Sequence, residues 1–335
     1  MHTITLIKGD GIGPSIMDAA VRVINASGLK IHWEEADAGM AAFDKCGNAI
    51  PDETLASIDK NRIVFKGPLT TPVGKGFRSI NVALRQKYDL YANVRPAKNW
   101  QGTQSRYDNV DIVIVRENTE GLYMGLEHYL NPQQDIATSM AVITRKGSER
   151  IIEYAFQYAR DNDRKKVTVC HKANILKCSS GLFLDVAREV AAKYPDIEFD
   201  EKIVDAACMH MVMNPQQFDV VVTTNMFGDI LSDLTAGLVG GLGLIAGANI
   251  GADAALFEAV HGSAPDIAGK NIANPVAVIM AGVMMLHHLG EHAAADKILA
   301  ATEKVVAEGV HVTPDLNPQS TSGTSQMADA IIAAL

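Results

Sequence analysis

The chain alternates between short apolar runs and longer segments whose apolar residues recur every three or four positions. Runs at residues 3–7, 62–65, 111–115, 166–170 and 219–223 are rich in Val and Ile and are bounded by polar residues or Gly. Unbroken apolar runs of this length predict strands buried on both faces of a sheet. Residues 13–27 put Ile16, Ala19, Ala20, Val23 and Ile24 on one side of a helix. Further helices are predicted at 147–160, 181–193, 230–238, 276–289 and 292–308. This alternation predicts the α/β class. The stretch 121–138 is the least regular, and Asn131-Pro-Gln-Gln134 reads as a turn in an exposed arm. No low-complexity linker marks a domain boundary.

Composition narrows the function more than the fold. The 335 residues are 47% hydrophobic and 21% charged, which fits a globular chain of about two domains at ~150 residues each. The formal charge of −9 argues against a nucleic-acid or membrane-surface partner, either of which favours a basic face. It still permits a local basic pocket for a small anion. The first residues lack the basic start and long apolar run of a secretory signal. The most apolar segments, 236–248 and 275–286, are shorter than the ~20 residues a membrane span needs. Cys46, Cys170, Cys178 and Cys208 form no CxxC pair and read as reduced thiols. A cytoplasmic enzyme is the expectation.

Several groups can carry chemistry. Gly9-Asp-Gly-Ile-Gly13 follows a strand and precedes a helix, but its spacing is not that of a dinucleotide fingerprint, and it reads as a tight turn. Gly67 and Gly74-Lys75 are six residues apart where a phosphate loop needs four. Asp229 and Asp233 lie four residues apart and project from one helix face. Such a pair either holds a hard divalent cation or belongs to a solvated acidic face; its apolar neighbours Ile230, Leu231 and Leu234 favour the first. Asp205 ends a strand-like run and is a candidate third ligand. Arg85, Arg95 and Arg116 are the residues to grip a substrate with several carboxylates, unless each serves a structural ion pair. Ser79 and Asn81 precede Arg85 in the same segment. Tyr123 and Lys172 are candidates for proton transfer if their surroundings tune them.

Five blocks in order then resemble one family, the metal-dependent β-decarboxylating dehydrogenases that act on isocitrate and isopropylmalate. They are Tyr91-Ala-Asn-Val-Arg-Pro96, Arg116-Glu-Asn-Thr-Glu-Gly121, His171-Lys-Ala-Asn174, Asn225-Met-Phe-Gly-Asp-Ile-Leu-Ser-Asp233, and His261-Gly-Ser-Ala-Pro-Asp-Ile-Ala-Gly269 with Ile272-Ala-Asn-Pro275. The resemblance runs nearly end to end. It implies a two-domain, non-Rossmann α/β fold. Residues 1–90 and 240–335 would form the large domain and 91–239 the small one, with a dimer-clasp arm near 123–142. It implies a homodimer in which Lys172 and Asp205 reach the neighbour's cleft. Asp205, Asp229 and Asp233 would hold Mg²⁺ or Mn²⁺, Lys172 would accept the hydroxyl proton, and Tyr123 would protonate the enol carbon. Arg85, Arg95 and Arg116 would clamp the carboxylates.

The resemblance also bears on substrate and cofactor. Isopropylmalate enzymes look apolar where this chain has Ser79-Ile-Asn81, so a third carboxylate, that of isocitrate, fits better there. Homoisocitrate and 3-isopropylmalate are the alternative substrates, and a non-catalytic regulatory subunit the alternative role. NADP-linked relatives carry Lys-Tyr where this chain has Asp266-Ile267. A carboxylate there suits ribose hydroxyls and repels a phosphate, which implies NAD. Ile12, His261, Asp266, Ile267 and Asn274 would surround the adenosine, and Thr71 would lie near the nicotinamide.

Overall fold

A computed structural model of the chain describes residues 1–70 and 79–335. Thr71, and with it the expected nicotinamide contact, lies outside the described residues. The strands are β1 (His2–Ile7), β2 (Ile31–Glu35), β3 (Ile63–Lys66), β4 (Ala92–Lys98), β5 (Asp111–Glu117), β6 (Glu127–Tyr129), β7 (Ala137–Ser139), β8 (Lys166–His171), β9 (Glu198–Ile203), β10 (Val220–Thr223), β11 (Ala246–Ile250) and β12 (Ala255–Ala259). The helices are α1 (Gly13–Ala26), α2 (Met40–Cys46), α3 (Asp52–Asn61), α4 (Ile80–Lys87), α5 (Arg145–Asp161), α6 (Ser179–Ala191), α7 (Val204–Met213), α8 (Asn225–Val239), α9 (Val276–His288), α10 (His292–Glu308) and α11 (Thr324–Ala334).

Ten strands form one continuous mixed sheet in the order β2-β1-β3-β12-β11-β4-β5-β10-β8-β9. One end, β2-β1-β3-β12, is parallel and drawn from both chain termini; the other, β5-β10-β8-β9, is parallel and drawn from the middle. Between them β11 pairs antiparallel with β12 and β4, and β4 antiparallel with β5. The two parallel blocks therefore run in opposite directions and meet at β11 and β4. Val113, Val115, Val167, Val169, Val220 and Val222 are fully or almost fully buried, as the unbroken apolar runs required. The apolar segment at 275–286 becomes α9, buried nearly all round rather than membrane-spanning. Among the described residues, no helix is long and apolar enough to cross a membrane.

Two local expectations change. The strand-like run before Asp205 ends at Ile203, and Asp205 opens α7 instead of closing a strand. The arm is a two-stranded ribbon, β6 with β7, closed by the turn at Asn131, where the Gln134 N–H reaches the Asn131 carbonyl at 3.2 Å.

The glycine turn after β1 is a close-approach device. Gly11 has φ +60°, and a Cβ there would lie 2.0 Å from the Ser263 carbonyl oxygen. The Ile12 N–H donates to that same oxygen at 2.9 Å. Asp10, buried in the turn, accepts backbone N–H groups from Met40, Ala41 and Thr70 at 2.7–3.0 Å. This turn thus anchors the loops that follow β3 and β12. Replacing Gly11 by Ala adds a left-handed penalty of ~1–2 kcal/mol to a backbone clash. We expect Gly11→Ala to lower the urea midpoint markedly. Gly181→Ala, in α6 with open space around it, should leave that midpoint unchanged or raise it. Equal midpoints for the two variants would contradict the packing described.

Candidate active site

Side chains alternate across a strand, so polar residues two apart on neighbouring strands build one polar face. Lys66, Glu258 and Gly247 stand opposite one another on β3, β12 and β11. Two residues along, Asn249, Asn93 and Arg116 stand opposite one another on β11, β4 and β5. Gly247 has no side chain, which leaves room above the sheet. There a cavity of about 230 Å³ is lined by Ser79, Asn81, Arg85, Arg95, Arg116, Tyr123, Asp229 and His261, with Lys66, Asn93 and Glu258 at its floor.

Three guanidinium groups converge on this cavity. Arg116 is 1% exposed; its Nε and Nη2 donate to Asn225 Oδ1 at 3.0 and 2.7 Å, and its Nη1 pairs with Asp229. Arg95 Nη1 donates to Ser232 Oγ at 2.6 Å and lies 3.5 Å from Asp229 Oδ1. Gly228 lets α8 lie on the Arg116 side chain, since a Cβ there would sit 2.5 Å from Arg116 Cγ. Arg85, in the last turn of α4, faces Glu258 at 3.4 Å. Burial, and then the charges of Arg116 and Arg85, pull the Arg95 guanidinium down to about 10. Burial and Arg85 also lower Arg116.

Two carboxylates balance this charge. Burial opposes ionisation of Asp229, but Arg116, the Tyr123 hydroxyl and Arg95 outweigh it and hold the carboxyl below its ordinary range. Tyr123 sits in a tight turn after Gly121, donates its hydroxyl to Asp229 Oδ2, and has the Arg116 guanidinium 5.0 Å above its ring. Burial and the Asp229 carboxylate raise the Tyr123 phenol, so it stays protonated at neutral pH. Below the arginines, Glu258 takes Lys66 Nζ at 2.7 Å and Asn249 Nδ2 at 2.9 Å. Burial opposes its ionisation, but Lys66 and Arg85 dominate and hold it at about 2.

The remaining expected residues fall into separate groups. Asp233 lies one turn beyond Asp229 on the same face of α8, 4.0 Å from Arg95 and largely exposed. Lys172 and Asp205 pair with each other at 2.5 Å, and neither lines the cavity. Among the described residues, no three His, Cys, Asp or Glu side chains come together as metal ligands. One chain thus supplies two of the three expected aspartates. Those two fit a hard cation by their oxygen-only donors, their shared face and the ionised state of Asp229. Ile12 lies against the loop that carries His261, and the same loop continues into a turn of 3-10 helix that holds Asp266 and Ile267. Asn274 caps α9 through Val276 N–H at 2.9 Å and donates to Asp315 at 3.0 Å. Burial lowers His261, whose Nε2 is buried without a hydrogen-bond partner among the described residues. Asn81 Oδ1, Arg85 Nε and Arg95 Nε are likewise buried and unpartnered there.

Lys66, Glu258, Asn93, Asn249, Asn225, Ser232 and Asp315 were not anticipated. For Lys66 and Glu258 the signal is a charged residue on a short apolar strand, as in Leu256-Phe257-Glu258-Ala259 and Ile63-Val64-Phe65-Lys66.

Known proteins agree with this architecture. The model of the isocitrate/isopropylmalate dehydrogenase family matches residues 3–331. A crystal structure of isocitrate dehydrogenase from Methylococcus capsulatus superposes with a TM-score of 0.97 at 65% identity, covering 100% of this chain and 99% of that one. A probable NAD isocitrate dehydrogenase subunit alpha, mitochondrial, of Drosophila melanogaster is 50% identical over 313 residues, 93% of this chain and 82% of its own. A chloroplastic 3-isopropylmalate dehydrogenase of Solanum tuberosum is 48% identical over 306 residues, 91% and 85% of the two chains. The fold and cavity define a β-decarboxylating dehydrogenase. The chain belongs to the isocitrate/isopropylmalate dehydrogenase family.

Removing the Glu258 charge strands Lys66 in the interior. We expect Glu258→Gln to cost about 3–5 kcal/mol in urea unfolding at neutral pH. The folded carboxyl lies below its ordinary value of 4.5, so its contribution is present above that pH and is lost as pH falls toward 2. The gap between wild type and variant should narrow over that window; a gap that widens on acidification would refute the pairing.

Proposed function

We propose that this chain is an NAD-dependent isocitrate dehydrogenase that oxidises the secondary alcohol of isocitrate and releases its β-carboxylate as CO₂, leaving 2-oxoglutarate. The observation that carries the reading is the convergence of Arg85, Arg95 and Arg116 on one small cavity that Ser79, Asn81 and Tyr123 also line. Three guanidinium groups and Lys66 face only two carboxylates, Glu258 and Asp229, so the cavity favours a polyanion. A tricarboxylate satisfies the guanidinium edges that the protein leaves unpaired. Ser79 and Asn81 supply polar atoms where an isopropyl group would need apolar ones, which favours isocitrate over 3-isopropylmalate and gives less leverage against homoisocitrate.

On this reading the arginines bind and orient the carboxylates, holding the substrate in reacting geometry. Tyr123, protonated and aimed at the Asp229 end of the cavity, delivers a proton to the carbon left by CO₂. Asp229 and Asp233 would hold Mg²⁺ or Mn²⁺, which supplies Lewis-acid stabilisation of negative charge on the substrate oxygen. Lys172 accepts the hydroxyl proton and Asp205 completes the ligand set, both from a second copy of the chain. Two faces support that sharing. Met209, Val212 and Met213 are exposed on the same stripe of α7 as Asp205, and Met226 and Ile230 on the same stripe of α8 as Asp229 and Asp233. Covering these apolar stripes in a homodimer brings the aspartates of two chains toward one another. The exposed Leu126, Tyr129, Leu130, Ile136 and Met140 give the arm a similar need for a partner. We also read residues 1–90 and 240–335 as one domain and 91–239 as the other. The cavity then draws Lys66, Ser79, Asn81, Arg85, Glu258 and His261 from the first, and Arg95, Arg116, Tyr123 and Asp229 from the second.

Initial rates with isocitrate, homoisocitrate and 3-isopropylmalate, each with NAD and NADP and Mn²⁺, test the reading; preference for 3-isopropylmalate or for NADP would overturn it. Asp229→Asn should lower kcat/KM on the order of 10²–10³-fold, the scale of several kcal/mol of lost charge stabilisation. Asp266→Lys with Ile267→Tyr should move the NAD/NADP ratio about tenfold toward NADP, the worth of ~1.4 kcal/mol. An unmoved ratio would place cofactor selection in other residues.

A further inference from the structure

The opposite face of the sheet carries a second concavity. Val94, Ala248 and Phe257 alternate with Asn93, Gly247 and Glu258, so they point away from the candidate site and floor a cleft of about 640 Å³. One wall is α5, with Gln157, Asp161 and Asn162; the other is the junction of α9 with α10, with His287 and His292. Gly290, at φ +78°, reverses the chain between these helices, and the Glu291 N–H closes the turn on the Leu286 carbonyl at 2.9 Å. The reversal brings the two imidazoles together as a tilted pair. Their Nδ1 atoms lie 3.0 Å apart, with ring centroids 5.3 Å apart and planes inclined at 42°.

That separation, which suits a hydrogen bond, also suits two ligands of one metal ion. With metal–nitrogen bonds of about 2.0–2.1 Å, adjacent ligands sit roughly 2.9 Å apart in a square-planar shell and roughly 3.3 Å apart in a tetrahedral one. The opposite nitrogen of His287, Nε2, lies 3.3 Å from Asp296 Oδ1, one turn into α10. An N–H donated to that carboxylate leaves the Nδ1 lone pair facing His292, the tautomer that a metal ligand needs. His287 is 40% exposed, so water can fill further positions. His2 is already engaged, with Nε2 2.8 Å from Glu291.

We propose that His287 and His292 form a second cation site at the mouth of this cleft, taking a borderline divalent ion such as Zn²⁺, Ni²⁺ or Cu²⁺ through their two Nδ1 atoms. Its nitrogen donors distinguish it from the aspartate pair, whose oxygen donors suit Mg²⁺ or Mn²⁺. Neither histidine belongs to the reaction cavity, so the site is independent of the activity proposed above. The test is calorimetric titration of the full chain with Ni²⁺ in excess Mg²⁺, together with EPR of the Cu²⁺-loaded protein. Wild type should bind one Ni²⁺ per chain at this site, and Cu²⁺ should show splitting from two nitrogens. His287→Ala and His292→Ala should each remove that event, and Asp296→Asn should weaken it about 10–100-fold. Wild-type stoichiometry and affinity in both histidine variants would overturn the site. So would the absence of binding to wild type, which would leave the pair a simple hydrogen bond between neutral rings.

Discussion

The structure is organised around three guanidinium groups buried above the middle of one sheet. Like charges at this depth are costly unless each finds a carboxylate and a polar scaffold. Glu258, which also takes the Lys66 ammonium, answers from below, Asp229 from above, and Asn225 and Ser232 from the flank of α8. The balance stays short of neutral, and the depression of Arg95 to about 10 by burial, Arg116 and Arg85 registers that shortfall. A bound anion relieves it. The free chain is thus electrostatically incomplete in a way that favours an incoming polycarboxylate.

The mixed sheet makes this cluster possible. A wholly parallel sheet is covered by crossover helices on both faces. Here two parallel blocks of opposite direction meet at β11 and β4. At that seam Gly247 leaves space, and the cross-strand rows Lys66–Glu258–Gly247 and Asn249–Asn93–Arg116 fall on one face. The seam also joins the two parts of the chain, since β11 and β12 follow residue 240 while β4 and β5 precede it. Motion about the seam would alter the distance between Arg85 on one side and Arg116 on the other, and hence the fit of a ligand bridging them.

Long periodic elements were legible in the residues themselves. Helix α10 coincides with its expected span, and β5, β8 and β10 lie where the Val-rich runs occur. Other elements were not. Strands β11 and β12 carry Gly247, Asn249 and Glu258, which break the apolar run that marks a buried strand, because these positions serve the cavity rather than the core. Asp205 reads as the end of a strand because Ile203 and Val204 precede it, yet the chain turns into α7 there. In the site, the arginines, Tyr123 and Asp229 are candidates from the sequence and its family resemblance, and the structure lines one cavity with all five, with Arg95, Arg116 and Tyr123 each reaching Asp229. Lys66 and Glu258 are hard to read from the sequence because each gains its meaning only from its partner in a distant part of the chain. Asn274, an expected cofactor contact, bonds the Val276 N–H at the start of α9 and the Asp315 carboxylate, partners that the sequence pattern does not reveal.

The cavity walls also separate side chains locked into a charged network from side chains that stand outside it. Arg95 and Arg116 are locked into a network that includes Asp229, Asn225 and Ser232, so a change at any of them disturbs the others. Ser79 and Asn81 lie outside that network, at the start of α4, and Asn81 Oδ1 has no partner among the described residues. On the proposed reading, an exchange there would alter the group that meets the third substituent of the substrate and leave the charged network of the arginines in place. Relatives named for isocitrate and for isopropylmalate stand at nearly equal identity, 50% and 48%, so overall similarity does not choose between the two substrates. On the proposed reading that choice rests on a few polar atoms at the start of one short helix.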